Sequence, residues 1–142
     1  MNITFRNSEC LNKAAGLTFD NMRSYYERYG VSWDSKIIEG KTADLDNYDI
    51  LIDTEVVGIF RLQYEVDCCY LRDIQVKPSH QNLGIGQLVL NEVKRRTQDA
   101  LLTTIKLRVF KISPAVGLYK RNGFVIESED ERFLNLKLDL SC

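Results

Sequence analysis

The chain has 142 residues, 44% of them hydrophobic and 27% charged, with a formal net charge of -1. These proportions belong to a soluble globular protein with enough chain for one well-filled core. The near-zero charge argues against general nucleic-acid binding, and no apolar run approaches the roughly 20 residues of a membrane span, so neither partner is expected.

The first residues, Met1-Asn2-Ile3-Thr4-Phe5-Arg6, lack the apolar stretch of a secretory signal, which makes the cytoplasm the expected compartment. The cysteines, Cys10, Cys68, Cys69 and Cys142, form no C-x-x-C pair and His80 is the single histidine, so no metal site is expected. All four read as thiols in a reducing compartment. Adjacent Cys68 and Cys69 on a strand would face opposite sides.

Ile3-Thr4-Phe5 reads as a short first strand. Residues 8–29 follow as a helix, with Leu11, Ala14, Ala15, Met22, Tyr25, Tyr26 and Tyr29 near helical spacing and an interruption expected near Gly16. Gly30 is a natural C-terminal stop. Residues 31–40 read as a loop and a short second helix. Tyr25, Tyr26, Tyr29 and Trp33 have two readings. They pack a helix pair, or they line an aromatic wall open to a substrate.

From Asn47 the period changes to that of strands. Residues 48–52, 56–64 and 69–76 read as three successive strands with short connectors, Asp53-Thr54-Glu55 and Glu65-Val66-Asp67, hence an antiparallel meander. A helix over 84–98 carries Ile85, Leu88, Val89 and Val93 on its apolar stripe, with Lys94, Arg95 and Arg96 toward its negative end. A strand over 104–110 comes next. The following short helix, 114–121, has Pro114 at its first position and Ser113 as N-cap. Asn122-Gly123 ends it, and strands over 124–126 and 133–140 flank the acidic run Glu127-Ser128-Glu129-Asp130-Glu131. The pattern is a mixed α+β fold, an antiparallel meander followed by β-α-β units, with about four helices.

The most informative stretch is Val76-Lys77-Pro78-Ser79-His80-Gln81-Asn82-Leu83-Gly84-Ile85-Gly86. It is a strand that breaks at Pro78 and reopens as a helix through two glycines. Such a turn aims orphan backbone N–H groups and the positive end of the helix dipole at one spot, a site for phosphate. The Walker pattern G-x-x-x-x-G-K-[ST] is absent. So is the dinucleotide pattern G-x-G-x-x-G, because Val89 stands where its third glycine belongs. A nucleotide-binding domain that shares only the glycine turn remains an alternative at this point.

The segment resembles the acyl-CoA binding motif of the GNAT family of N-acetyltransferases, V-x-P-x-x-[QR]-x-x-G-x-G/A. A second block, from Leu107 and Val109 through Ser113-Pro114-Ala115 and Leu118-Tyr119 to Gly123-Phe124, is similar to that family's L-x-V-x-x-x-N-P-A-x-x-L-Y-x-x-x-G-F. The resemblance covers nearly the whole chain, as a single domain over 1–142. It implies a mostly antiparallel central sheet, splayed to admit CoA.

The resemblance further implies that backbone N–H groups of Gln81, Asn82, Leu83, Gly84, Ile85 and Gly86 cradle the CoA pyrophosphate. It implies that Ile74, Gln75 and Val76 pair through their backbones with the pantetheine arm. An N–H near Ile74 would stabilise the oxyanion formed when an amine attacks the thioester carbonyl. Tyr119 matches the family tyrosine that donates a proton to the departing CoA thiolate; a phenol near pKa ~10 can protonate a thiolate whose acid lies near ~8.5. The bland alternative for Tyr119 is a helix tyrosine packed on the core.

Two positions depart from the family pattern. Arg72 stands where many members carry an acidic residue. Asp73, next along, is the candidate base, although on a regular strand it faces the other way and only a bulge would bring it round. A water chain or the acidic run are alternatives as base. Arg72 either binds a substrate carboxylate or phosphate through its planar fork, or forms an intramolecular ion pair. Ser113 replaces the family's asparagine at a cofactor-contacting position, and a serine N-cap explains it locally. His80 reads as solvated.

The expected function is therefore acetyl transfer from acetyl-CoA to a primary amine of a small molecule or peptide. A CoA-binding or sensory module without activity is the alternative. Assembly as a homodimer is compatible with the sequence, which does not name the amine.

Overall fold

The computed structural model describes residues 2–141. Its elements are strands β1 Ile3–Asn7, β2 Asp46–Ile52, β3 Glu55–Tyr64, β4 Cys69–Val76, β5 Thr104–Phe110, β6 Val125–Glu129 and β7 Phe133–Asp139, with helices α1 Leu11–Tyr29, α2 Ser35–Thr42, α3 Ile85–Asp99 and α4 Ala115–Arg121. A single 3-10 turn, Pro78–His80, follows β4. The seven strands form one mixed sheet in the order β1-β2-β3-β4-β5-β7-β6. The chain folds into two compact units, Met1–Arg61 with Asp73–Ile85, and Leu62–Arg72 with Gly86–Cys142; β3 and β4 run through both.

In the first unit, β1 pairs antiparallel with β2 from Ile3↔Ile52 to Asn7↔Tyr48. Asp53-Thr54 suffices to join β2 to β3, a residue shorter than expected. Asp53 takes φ +54°, the left-handed conformation that tight hairpins need and aspartate tolerates. The core here is built on Phe60, fully buried, with the Phe5 ring edge-on at 5.6 Å and the Tyr48 ring stacked at 4.9 Å.

Helix α1 begins at Leu11, three residues later than expected, and runs through Gly16 without a break. A Cβ at Gly16 would meet nothing, so glycine there costs some helix propensity but bends nothing. The helix ends as the sequence indicates, with Gly30 left-handed at φ +66° and its amide turned back to Tyr26 and Glu27. Asp34 caps α2 by accepting the Ile37 N–H at 2.9 Å. Between the two helices Ala15, Tyr26 and Ile38 form a buried cluster with Phe19, Met22 and Val31 packed against it.

In the second unit, β4 and β5 pair in parallel through Cys69↔Ile105, Tyr70↔Lys106 and Leu71↔Leu107, as a strand–helix–strand crossover through α3 requires. β5 pairs antiparallel with β7 over its full length. Helix α3 buries Ile85, Val89, Leu90, Val93 and Thr97, whereas Leu88 is exposed. At ~100° per residue Leu88 lies about 130° from the midline of that stripe, so Leu90 takes the core place that the sequence pattern gives to Leu88.

Two boundaries near the C-terminus also differ. The last helix starts at Ala115, not Pro114. β6 extends to Glu129, so half of the expected acidic loop lies on an exposed edge strand with a register shift at Ile126/Ser128. Charged residues on an edge strand suit a position where unpaired backbone would otherwise invite another chain. Of the cysteines, Cys68 and Cys69 are buried, Cys10 is exposed, and Cys142 lies outside the described residues.

Candidate functional site

Strand β4 is the backbone of the site. Gly58 on β3 lets it approach closely: a Cβ at Gly58 would lie 2.5 Å from the Gln75 carbonyl oxygen. Lys77 N–H donates to Val57 O at 2.8 Å, which turns that N–H toward β3. The peptide bond is trans, so the Val76 carbonyl points the opposite way, to the edge of β4 away from β3. By alternation Ile74 also offers its backbone groups to that edge. Gln75 turns its own toward β3, which refines the expectation that all three residues offer backbone groups to pantetheine. Gln75 contributes through its side chain instead.

Beneath this edge lies a charged network that sequence reasoning missed. Arg61, 1% exposed, donates from Nη1 to Asp73 Oδ2 at 2.5 Å and to Thr18 Oγ1 at 2.9 Å. Its Nε donates to Asn47 Oδ1 at 2.8 Å. Gln75 Nε2 donates to the other Asp73 oxygen at 2.6 Å, and Asn21 Nδ2 on α1 donates to Gln75 Oε1 at 3.1 Å and to Val76 O at 3.0 Å. An arginine inside the apolar run Val56–Tyr64 was the signal for this, because such a residue is tolerated there only with partners.

Asp73 is thus held on both oxygens. Burial raises its pKa above the ordinary carboxylate value, and the Arg61 guanidinium and Gln75 amide pull against that rise. The Tyr26 phenol is pushed up to about 12, first by burial and then by the Asp73 charge. Tyr26 belongs to the packed α1–α2 interior, with its ring edge-on to Trp33 at 5.7 Å. Trp33 is 40% exposed with Lys41 over its ring, and Tyr25 and Tyr29 are half-buried. Tyr26 therefore packs the helix pair, as the first of the two readings has it.

After β4 the chain makes the 3-10 turn, and His80 Nδ1 lies 2.8 Å from Ser79 Oγ. Gln81 Nε2 donates to Val76 O at 3.0 Å and ties the turn to the strand end. Asn82 at φ +62° and Gly84 at φ +82° then alternate with Leu83. Left-handed residues of this kind curl successive N–H groups into an anion-binding concavity. Among the described residues, no backbone carbonyl accepts the amides of Asn82, Gly84 and Ile85. These residues fit a pyrophosphate. Gly86 has a packing reason as well, since a Cβ there would sit 2.9 Å from Leu118 Cδ2.

In the second unit Tyr119 is buried on α4, edge-on to Phe124 at 5.6 Å. Ser113 Oγ accepts the Ala115 N–H at 3.1 Å from one residue outside the helix, whose N-cap is Pro114 and not Ser113 as the sequence suggests. Arg72 donates from Nε and Nη2 to Gln63 Oε1 at 2.9 and 2.6 Å, lies 3.9 Å from Glu65, and stacks 3.8 Å over Tyr70. Its fork is occupied by its own chain. The acidic run is likewise paired: Glu127 with Lys106 and Lys137, Glu129 with Lys111, Asp130 with Arg108.

Sequence reasoning also missed a cavity of about 320 Å³ in this unit, bordered by Cys68, Lys106, Glu127 and Asn135. Single ligand atoms of Glu65, Asp67 and Cys68 at its rim lie within 4.8 Å of one another.

A family model described as "Acetyltransferase (GNAT) domain" matches residues 46–126, more than half of the chain. The chain belongs to the GNAT acetyltransferase family. Solved structures agree in fold. PaiA N-acetyltransferase from Thermoplasma acidophilum, in complex with coenzyme A, is 17% identical over 98% of this chain and 99% of that one, with a TM-score of 0.72. The ribosomal-protein-S18-alanine N-acetyltransferase from Escherichia coli is 17% identical over 99% and 96%, TM-score 0.74. A GNAT family acetyltransferase from Elizabethkingia anophelis with acetyl-CoA bound is 16% identical over 98% and 99%, TM-score 0.72. At such identities the likeness is one of fold. No curated protein matches the sequence. Among the described residues no helix of this GNAT acetyltransferase is long and apolar enough to cross a membrane.

Proposed function

We propose that this acetyltransferase moves an acetyl group from acetyl-CoA to a primary amine of a small molecule or peptide by direct attack. The observation that carries the reading is the Asn82–Ile85 turn, where the amides of Asn82, Gly84 and Ile85 have no backbone acceptor among the described residues and two left-handed residues curl the chain. The CoA-bound neighbours support the choice of anion.

In this reading the pantetheine arm lies along the β4 edge that Ile74 and the Val76 N–H present, since the Val76 carbonyl already accepts from Asn21 and Gln81, and the Ile74 N–H faces the thioester oxygen. The amine nitrogen attacks the thioester carbonyl carbon, and the C–S bond breaks with its electron pair going to sulfur. Tyr119 gives the sulfur its proton, and the proton lost by the amine nitrogen restores the phenol through solvent. The products are an N-acetyl amide and CoA thiol. Asp73 is the candidate to take the excess proton of an ammonium. Its raised pKa suits that task, and acting as base requires it to release Arg61 or Gln75.

Two observations favour a second reading, a CoA-binding module without turnover: Arg72 stands at the family's acidic position, and Asp73 is held on both oxygens. One experiment separates the readings. Thermal unfolding is followed with acetyl-CoA, CoA and NAD, and thiol release is then measured with spermidine, lysine, tyramine and an alanine-headed peptide. A ligand at a hundred times its Kd stabilises by about 2.7 kcal/mol. Acetyl-CoA should do so, with thiol released for at least one amine. Stabilisation by NAD alone would end the acetyl-CoA reading. Stabilisation by CoA without thiol release would favour the module.

A further inference from the structure

Asn21 stands out among the polar side chains near β4 because its hydrogen bonds are lopsided. Its Nδ2 spends both N–H groups, one on Gln75 Oε1 and one on Val76 O. The amide orientation is not arbitrary. Asp73 offers only acceptor oxygens, so Gln75 must turn Nε2 to Asp73 and Oε1 to Asn21. Val76 O is an acceptor as well, and both contacts therefore demand the nitrogen of Asn21. The far end of this chain is anchored by Arg61, fully buried. Four residues thus fix the amide plane of Asn21.

What remains is Asn21 Oδ1. No group among the described residues donates to it, and it is not one of the buried polar atoms left without a partner, so it reaches solvent. A carbonyl oxygen held in a fixed plane is a ready acceptor for an incoming N–H. Its neighbour on the helix, at i+4, is half-buried Tyr25, whose ring offers an amphipathic wall beside it. The same amide touches the carbonyl of Val76 on the β4 edge away from β3, the edge on which the proposed reaction runs.

We propose that Asn21 Oδ1 binds the acceptor, taking a hydrogen bond from the nitrogen of the primary amine. Gln75, Asp73 and Arg61 act as positioning residues that keep the Asn21 carbonyl turned outward. The inference rests on the acetyltransferase reading above and adds a residue that selects the acceptor. An acceptor oxygen without charge takes the N–H of a neutral amine or of an ammonium, so it does not require the missing acidic residue at position 72.

The test compares Asn21→Leu with Asn21→Asp, using whichever of spermidine, lysine, tyramine or the alanine-headed peptide the wild type acetylates fastest. Both variants lose the two donated hydrogen bonds, and only Asn21→Asp keeps an acceptor oxygen. Asn21→Leu should raise the KM for the amine about tenfold or more while the Kd for acetyl-CoA stays within about twofold. Asn21→Asp keeps an acceptor oxygen but not the bonds that hold it, so its amine KM should rise several-fold less than in Asn21→Leu although its Tm falls as far or further. Equal amine KM in wild type and Asn21→Leu would overturn the proposal. So would an amine KM that worsens in both variants in step with Tm, the mark of a structural role.

Should neither variant fold, the Asn21 side-chain amide resonance of wild type with CoA bound is followed as the amine is added. A shift supports the contact, and an unmoved resonance at saturating amine overturns it. A wild type that binds acetyl-CoA yet acetylates none of the four amines overturns both the enzyme reading and this one. Activity with no Asn21→Leu effect removes this inference alone.

Discussion

Replacing Gly58 by alanine is the sharpest perturbation of the cofactor strand, because it adds one methyl group on β3 and alters no side chain proposed to meet a ligand. The new Cβ would lie 2.5 Å from Gln75 O, 3.1 Å from Ile50 Cδ1 and 3.2 Å from Val76 Cα. The first of these falls short of the 3.4 Å where ordinary contact begins by about 0.9 Å. Its partner is backbone, which cannot swing aside as a side chain would. β4 must therefore shift at Gln75 and Val76, or β3 must bend.

Overpacking of this kind costs about 1–3 kcal/mol. For a chain of this length that lowers Tm by roughly 3–10 °C. The functional effect should be larger, since misplacing a reacting centre by about 1 Å costs on the order of a hundredfold in rate. The assay is thermal unfolding together with the Kd for acetyl-CoA and thiol release. Gly16→Ala serves as control: its Cβ meets nothing inside α1, so it should raise stability by roughly 0.5–1 kcal/mol and leave the Kd unchanged. Wild-type Tm, Kd and rate in Gly58→Ala would refute the claim that this glycine sets the position of β4. So would an equal loss in Gly16→Ala.

Other expectations follow from the same geometry. Arg61→Leu leaves the Asp73 carboxylate buried and unpaired, which should cost about 3–5 kcal/mol at pH 7. The loss should shrink as pH falls through the raised pKa of Asp73, because a protonated carboxyl no longer needs the cation; Tm against pH for both proteins checks this. Glu92 on α3 accepts from Arg95 and Arg96 at 2.7 Å, and the Arg95 hydrogen bond is the first cause of its lowered pKa. Its contribution, about 1 kcal/mol, is present above the usual 4.5 and lost as pH falls through the lowered value, so the Tm curves of wild type and Glu92→Gln should merge there. Tyr119→Phe keeps the ring that meets Phe124, so the protein should fold and bind acetyl-CoA with unchanged Kd while kcat falls at least a hundredfold. An unchanged kcat would remove Tyr119 as the proton donor.

Much of this protein is legible without coordinates, for local reasons. Strand β5 falls on Thr104–Phe110 as read, because its alternation and flanking turns are written in adjacent residues. Gly30 and the Pro78–Gly86 turn carry their own backbone signals, and the turn with the Ser113–Phe124 block was enough to reach the family. Local rules failed where a distant residue decided. The start of β6 was legible, but its extension through Glu127–Glu129 depends on pairing with β7 and on lysines of β5 and β7. Leu88 was misassigned because a helix has two flanks and only packing shows which one is covered.

The deepest difference concerns Asp73. Sequence parity said that it faces away from the position the family gives its acid, and that holds. Only the fold brings Arg61 of β3 to it and joins Thr18 and Asn21 of α1 to the network through Arg61 and Gln75. Hydrogen bonding between such residues leaves no trace in periodicity, since each is one polar residue in an otherwise ordinary pattern. The sequence by itself pointed to an acyl-CoA donor, through a local glycine turn and a second block that together resemble the family. The tertiary structure alone decided which side chains surround the strand where that donor is expected to react, because Thr18 meets Arg61 across 43 residues of chain and Asn21 meets Gln75 across 54.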